Sequence, residues 1–346
     1  MIRLQRSMIA GLTAPAPTVE SVCSALQSAI ELEHATIPLY LYALYSVNPV
    51  LNLEIANIIQ SVVVEEMLHM TLSSNVLNAL GGSPQIDKPD FIPAYPGPLP
   101  GGVQSDLTVN LAPFSIDQLA TFLQIESPED PLNFPGALRD DDTITIGEFY
   151  TAISDAIAVL GDGVFVKPPR NQVGPDLMYE SIVVSNVETA QQAINIIVQQ
   201  GEGTTTSPGE GVGGGYAHYY RFMQIQEAHL LVPGPGATPP YAYTGTPVPF
   251  EPAGVYAVPT NPALSPYPAG SQQAFANDNF NYTYTSLLSV LHSLFNGEAN
   301  QDQFNNAIGL MMSLKSQAKA MMSGIPNPEL LVGPTFTYQP INPKAA

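Results

Sequence analysis

A chain of 346 residues with 45% hydrophobic content has enough apolar material for one large domain or two ordinary ones, which argues against general disorder. Thirty acidic residues against 10 basic ones leave a formal charge of −20, so nucleic acid and anionic membrane are disfavoured as partners. The single cysteine, Cys23, excludes an internal disulfide framework and any cysteine-built zinc or iron–sulfur site within one chain.

The N-terminal stretch carries Arg3 and Arg6, but its apolar patch from Met8 to Leu12 is marginal for a signal peptide. No apolar run reaches the roughly 18–20 residues that cross a bilayer. A cytoplasmic location is therefore expected. Thr18 is placed to cap a helix running to about Ser46, with the stripe Ile30, Glu33, Ile37, Tyr40/Leu41 and Leu44. Glu33 thus takes a core position, and Pro38 predicts a kink beside it. His34 points about 100° away from Glu33 and reads as structural.

The short turn from Ser46 to Asn52 makes the next helix, about 53–80, an antiparallel neighbour. Its stripe runs through Val62, Glu66, His69, Ser73, Val76 and Leu80. Buried ionisable groups are costly unless paired or bound to metal, so Glu66 and His69 are either metal ligands or a buried hydrogen-bonded pair. Glu33 can face them across the two helices. Glu65 lies on a second stripe, as a rival ligand or a partner at the rim. Gly81-Gly82-Ser83-Pro84 ends the helix.

Residues 85 to 112 are rich in Pro and Gly and predict an irregular crossing. Helical segments follow at Ser115–Gln124 and Ile146–Leu160. The acidic loop between them, from Glu126 to Asp142, has no EF-hand spacing and is expected to be solvated. A third long helix spans about 188–200, and Glu202 continues its Ile194, Val198 line at the end. The Gly-rich loop to Gly215 lacks the Lys-Ser/Thr terminus of a phosphate-cradling loop.

A fourth helix is expected from Gly215, with His218, Phe222, Ile225 and His229 on one stripe. Its start and the preceding helix's end would bring His218 and Glu202 together. Arg221 lies near His218 and is placed either to orient a carboxylate, of protein or substrate, or to form a structural ion pair. Residues 232–270 predict extended wrapping pieces. Two closing helices follow at about 285–295 and 301–322.

Collected, the polar residues on buried stripes are Glu33, Glu66, His69, Glu202 and His218. Carboxylates and imidazoles without thiolates suit iron, with manganese as the second choice. Carboxylate-bridged di-iron bundles use one Glu on each of two helices and Glu-x-x-His on each of the other two. Glu33 with Glu66-Met67-Leu68-His69 supplies the first half of that pattern.

The segments Leu32-Glu33-His34-Ala35-Thr36-Ile37-Pro38-Leu39-Tyr40 and Glu65-Glu66-Met67-Leu68-His69-Met70 resemble the ferritin-like domain related to the VioB-type iminophenylpyruvate dimer synthases. Phe122-Leu123-Gln124-Ile125-Glu126-Ser127-Pro128, Gln200-Gly201-Glu202-Gly203 and His218-Tyr219-Tyr220-Arg221-Phe222 extend the likeness over about 20–230. The resemblance implies a mainly α fold: a ferritin-like four-helix bundle over 18–230, with a crossover insertion at 85–175. Residues 231–346 would form a wrapping segment and a helical C-terminal extension.

It also implies a di-metal site using Glu33, Glu66, His69, Glu202 and His218. No Glu-x-x-His occurs on the expected fourth helix, since Glu227-Ala228-His229 has a spacing of two. The second position is therefore weakly ligated, absent (a mononuclear site), or completed by Glu210. The expected function is a metal-dependent, di-iron-type oxidoreductase acting with dioxygen on a small, amino-acid-derived substrate. A non-catalytic metal-binding protein is the alternative, and a homo-oligomer is compatible with either.

Overall fold

A computed structural model describes residues 4–13, 16–101, 107–128, 143–201, 208, 215–234, 241–297 and 299–340. Helix α1 (Val19–Ser46) starts where Thr18 accepts from the Ser21 amide while Ser21 Oγ accepts from the Thr18 amide. This reciprocal cap satisfies two donors that the first turn would otherwise leave free. The helix runs through Pro38 as one element. From Leu32 to Ser46 nearly every residue is buried, as expected for a helix covered on all sides.

Helix α2 (Leu53–Ala79) returns antiparallel to α1 and is likewise buried almost all round beyond Val62. Helix α3 (Ile116–Ile125) follows the irregular crossing, capped by Ser115. Helix α4 (Ile146–Leu160) begins at the Thr145–Glu148 capping box, and α5 is Val187–Gly201. The second helix pair, α4 and α5, packs on the first, with α4 against α1 and α5 against α2. The segment that reads locally as part of a crossover thus supplies a bundle helix.

The fourth helix expected from Gly215 is much shorter. Helix α6 (His218–Gln226) stops because Ala228 adopts a left-handed conformation (φ 55°), which breaks the helical hydrogen-bond ladder. His229 therefore lies on strand β3 (His229–Pro233), which pairs antiparallel with β4 (Tyr241–Pro247). Strands β1 (Leu4–Gln5) and β2 (Thr143–Ile144) form a second small antiparallel ribbon. Helix α6 lies against α3, so these two short helices form a unit beside the bundle.

The chain closes with helices α7 (Gln272–Asn296) and α8 (Gln301–Ser323), a hairpin laid over the outer face of α1 and α2. Helix α7 starts well before the expected Thr285 because Ser271 caps it by accepting from Ala274. The hairpin is pinned by buried polar contacts. His34 Nε2 lies 2.7 Å from Tyr284 Oη, and Asn78 donates to the Phe295 carbonyl at 2.6 Å. Burial pushes the His34 imidazole down to about 3, so it stays neutral and structural, as its orientation away from Glu33 predicts.

Tyr284→Phe is expected to leave His34 Nε2 without its partner and to cost about 1–3 kcal/mol in chemical denaturation. Metal content should not change, since His34 and Tyr284 line a different cavity from Glu33. Among the described residues no helix is long and apolar enough to cross a membrane.

Candidate metal centre

Glu33 on α1 and Glu66 and His69 on α2 meet inside the bundle, as their stripes predict. His69 Nδ1 lies 3.4 Å from Glu33 Oε2 and 3.9 Å from Glu66 Oε2. The first residue of α6, His218, reaches the same place and is fully buried. Its Nδ1 lies 3.2 Å from Glu66 Oε1 and 3.4 Å from an oxygen of Glu126. The two imidazole rings stack with centroids 5.3 Å apart.

Glu126 departs from the expectation of a solvated acidic loop, of which residues 129–142 lie outside the described residues. It caps the C-terminus of α3, is 8% exposed, and accepts a hydrogen bond from Tyr40. The sequence carried a signal for this position. Glu126 follows Leu119 by seven residues and Phe122 by four, on the face that α3 buries. Glu202, the carboxylate expected opposite His218, and Glu210 both lie outside the described residues.

The arrangement is close to two-fold about Glu66. On one side Glu33 and His69 stand together, and on the other Glu126 and His218. Each outer carboxylate accepts from a buried tyrosine, Tyr150 for Glu33 and Tyr40 for Glu126. Burial, reinforced by the adjoining carboxylates, holds both phenols well above their ordinary range, so they remain donors.

Each histidine also has an outer partner. Gln200 Nε2 donates to Glu180, which can only accept, so Gln200 turns its oxygen to His69 Nε2 at 3.0 Å. His69 Nε2 therefore donates to Gln200, which leaves Nδ1 as the ring atom that faces Glu33 and Glu66. His218 Nε2 is 3.1 Å from Glu65 Oε2, whose other oxygen accepts from Arg221 at 2.6 Å. Glu65 is therefore the side-chain partner of His218. Arg221 also donates to Ser61 and to the Tyr216 carbonyl, behind His218 rather than in the pocket.

The electrostatics show how strained this cluster is as protein alone. Burial, followed by the charges of Glu126 and Glu33, pushes the Glu66 carboxyl well above the usual range. Burial alone would depress His218, but Glu126, Glu65 and Glu66 together hold it well above its ordinary value. Burial would likewise raise Glu33, yet its contacts with His69 bring it below the usual carboxylate range.

Three carboxylates converge here with Arg221 already committed to Glu65. Buried anions of this kind are stable when paired or bound to cations. The geometry fits metal. His218 Nδ1 is buried and makes no hydrogen bond, although two carboxylate oxygens lie within 3.4 Å. Glu66, His69 and His218 each offer a ligand atom, all within 4.8 Å of one another. The all-O/N donor set suits a first-row ion of the iron or manganese kind.

Outer partners of metal-bound histidines orient the ring and raise its basicity, and their loss typically weakens metal binding about 10–100-fold. Gln200→Leu is expected to show a loss of that size in a competitive chelator titration, with little effect on the fold.

A cavity of about 60 Å³ opens directly on the ligands. Glu33, Glu66, His69 and Glu126 form one wall, and Leu32, Leu99, Ile125, Ile146, Ile197 and Val198 form most of the rest. Thr36, Ser127 and Tyr150 are the remaining polar groups. Among the described lining residues there is no Lys or Arg.

Comparison with known proteins agrees with this architecture. A search of the curated proteins finds no match. Among solved structures, the chain is similar to a crystal structure of a ferritin-like protein from Caulobacter vibrioides, with 25% sequence identity and a TM-score of 0.63. That alignment covers 93% of this chain and 100% of the other. A family described as Ferritin-like matches residues 26–227, which contain every described candidate ligand of the centre. With more than half its length matched, and with the bundle and its buried carboxylate–imidazole cluster in place, the chain belongs to the ferritin-like family.

Proposed function

We propose that the protein is a metal-dependent oxidoreductase of the di-iron type, acting with dioxygen on a small organic, amino-acid-derived substrate. The observation that carries this reading is the position of Glu66: its two oxygens face two different histidines, as a bridging carboxylate requires. Glu33, Glu66 and His69 would hold one ion, and Glu66, Glu126 and His218 the other. Iron, or manganese in its place, would supply one-electron redox chemistry and dioxygen activation at the pocket wall.

The chain's own residues do the rest. Leu32, Leu99, Ile125, Ile146 and Val198 keep the pocket apolar and limit water beside the reacting centre. Thr36 and Ser127 offer the hydroxyls that can orient a substrate. The pocket is small, so it admits the reacting end of the substrate rather than the whole of a bulky one. Tyr40 and Tyr150 keep protons on the outer carboxylates' hydrogen bonds and hold those carboxylates in place. Arg221 serves as a positioning residue, acting on His218 through Glu65.

A pocket built onto the ligands favours catalysis over the alternative of metal binding alone, which has no use for an apolar recess. The test is to load the protein with ferrous iron without oxygen, count the ions per chain, and then follow dioxygen uptake. Imines and 2-oxo acids derived from aromatic amino acids are the first substrates to try. Uptake that saturates with one of them, and disappears on removing the metal, is the expected result. Protein that binds its metal fully yet consumes no dioxygen with any of them would make it a non-catalytic metal-binding member. Failure to take up metal at all would end both readings.

A further inference from the structure

Helices α1 and α2 each have two buried faces, and the second is unrelated to the metal centre. His34, Met67 and Met70 are the immediate neighbours of Glu33, Glu66 and His69, and they point about 100° away from them. There they line a cavity of about 380 Å³ between α1–α2 and the α7–α8 hairpin. Its volume falls within the range of sites for small organic ligands, and it is more than six times that of the cavity at the metal centre.

Ile37, Leu41, Leu287, Leu291 and Ala307 are typical of its walls. A dry void of that size would weigh heavily on a marginally stable fold, because unfilled volume forfeits packing contacts. At the mouth, Val64 and Met312 line the cavity while remaining 52% and 60% exposed. The recess is therefore open to an apolar occupant.

A pair of lysines defines one end of that occupant. Lys315 lines the cavity at α8, and Lys319 lies one turn further along. Among the described residues neither forms an ion pair, although the whole chain has 30 acidic residues and only 10 basic ones. Lys315 reaches only the Gln60 side-chain oxygen, at 2.9 Å. Burial, followed by the charge of Lys315, depresses the Lys319 ammonium, consistent with two cations that lack a counter-ion. In the wall, His34 Nδ1 is buried without a hydrogen-bond partner. An apolar cavity with Lys315 in its wall and Lys319 one turn beyond calls for a tail with a single anionic head.

We propose that this cavity binds a medium-chain fatty acid, its tail between α1, α2 and the α7–α8 hairpin and its carboxylate at Lys315 and Lys319. The site is independent of the metal centre, so its test does not depend on the oxidoreductase reading. The ligand's fit is set by shape and apolar contact along the tail and by charge at the head.

The experiment is calorimetric titration of the delipidated, metal-loaded full chain with dodecanoate and, separately, dodecanol. One saturable dodecanoate site per chain is expected. The double substitution Lys315→Gln/Lys319→Gln should weaken dodecanoate at least about tenfold and leave dodecanol nearly unchanged, since only the charged head is lost. Ala307→Phe, which fills the cavity from α8, should abolish binding of both. Ile308→Trp, at the partly exposed mouth, gives the same readout should the core substitution fail to fold.

Metal content is measured in every variant and should stay constant. The proposal is overturned if the native chain binds no dodecanoate. It is equally overturned if binding is multiple and indifferent to all these substitutions, as for non-specific adsorption. Self-association of the chain through Met312 and Val64 that dodecanoate does not reverse would assign the face to a second copy instead.

Discussion

Glu66→Gln is expected to remove metal from both positions at once, taking the content from two ions per chain to essentially none. Among the described residues only Glu66 faces both histidines, with Oε1 3.2 Å from His218 Nδ1 and Oε2 3.9 Å from His69 Nδ1. An amide has the shape of the acid, but its nitrogen cannot act as a second anionic oxygen between two cations. The affinity loss should exceed the roughly 10–100-fold typical of removing an outer partner. Elemental analysis after loading and desalting measures it. Thermal unfolding of the metal-free variant should match the metal-free parent, because glutamine fills the same volume. A variant that still carries two ions would remove Glu66 from the bridging role.

Glu126→Ala has a different signature, loss of one ion and retention of the other. Glu33, Glu66 and His69 remain intact on α1 and α2, while His218 loses the carboxylate beyond it. Tyr40, fully buried, also loses its acceptor, which should lower stability by about 1–3 kcal/mol. Tyr40→Phe separates the two effects, since it removes the hydrogen bond but keeps the ligand. Elemental analysis giving one ion per chain for Glu126→Ala, and two for Tyr40→Phe, is the expected pair of results. If Glu126→Ala keeps both ions, the second position belongs to another carboxylate, and Glu202 is the residue to substitute next.

The first half of the centre was legible because its geometry is local. Glu66 and His69 stand three residues apart on one helix, so helical periodicity alone puts both on the buried face. The turn after Ser46 is short enough to fold α2 back on α1, which brings Glu33 within 3.4 Å of His69. His218 was legible for the same reason, as a polar residue at the start of an apolar stripe. The helix it opens was misjudged in length, because nothing in the local pattern marks the left-handed Ala228 that ends it.

Glu126 was misread because its surroundings are misleading. It is followed by Ser127 and Pro128 and by a stretch rich in acidic residues, which together look like solvent-exposed chain. Its partners are Tyr40, 86 residues away, and His218, 92 residues away. Such contacts exist only after α3 and α6 have packed together. The Glu-x-x-His absent from the fourth helix has a counterpart in space, the pair Glu126 and His218. The second carboxylate–imidazole pair is assembled from two separate short helices instead of one continuous turn.

The sequence by itself determined the two long helices and which polar residues lie on their buried faces, because each follows from residue spacing within one element. Tertiary structure decided the rest. It set Glu66 between the two histidines, gave each histidine its outward partner in Gln200 or Glu65, and turned Arg221 toward Glu65. It also placed the C-terminal hairpin so that the far faces of α1 and α2 enclose a cavity. Spacing along a helix fixes which face a residue takes; which other element covers that face depends on the packing of the whole chain.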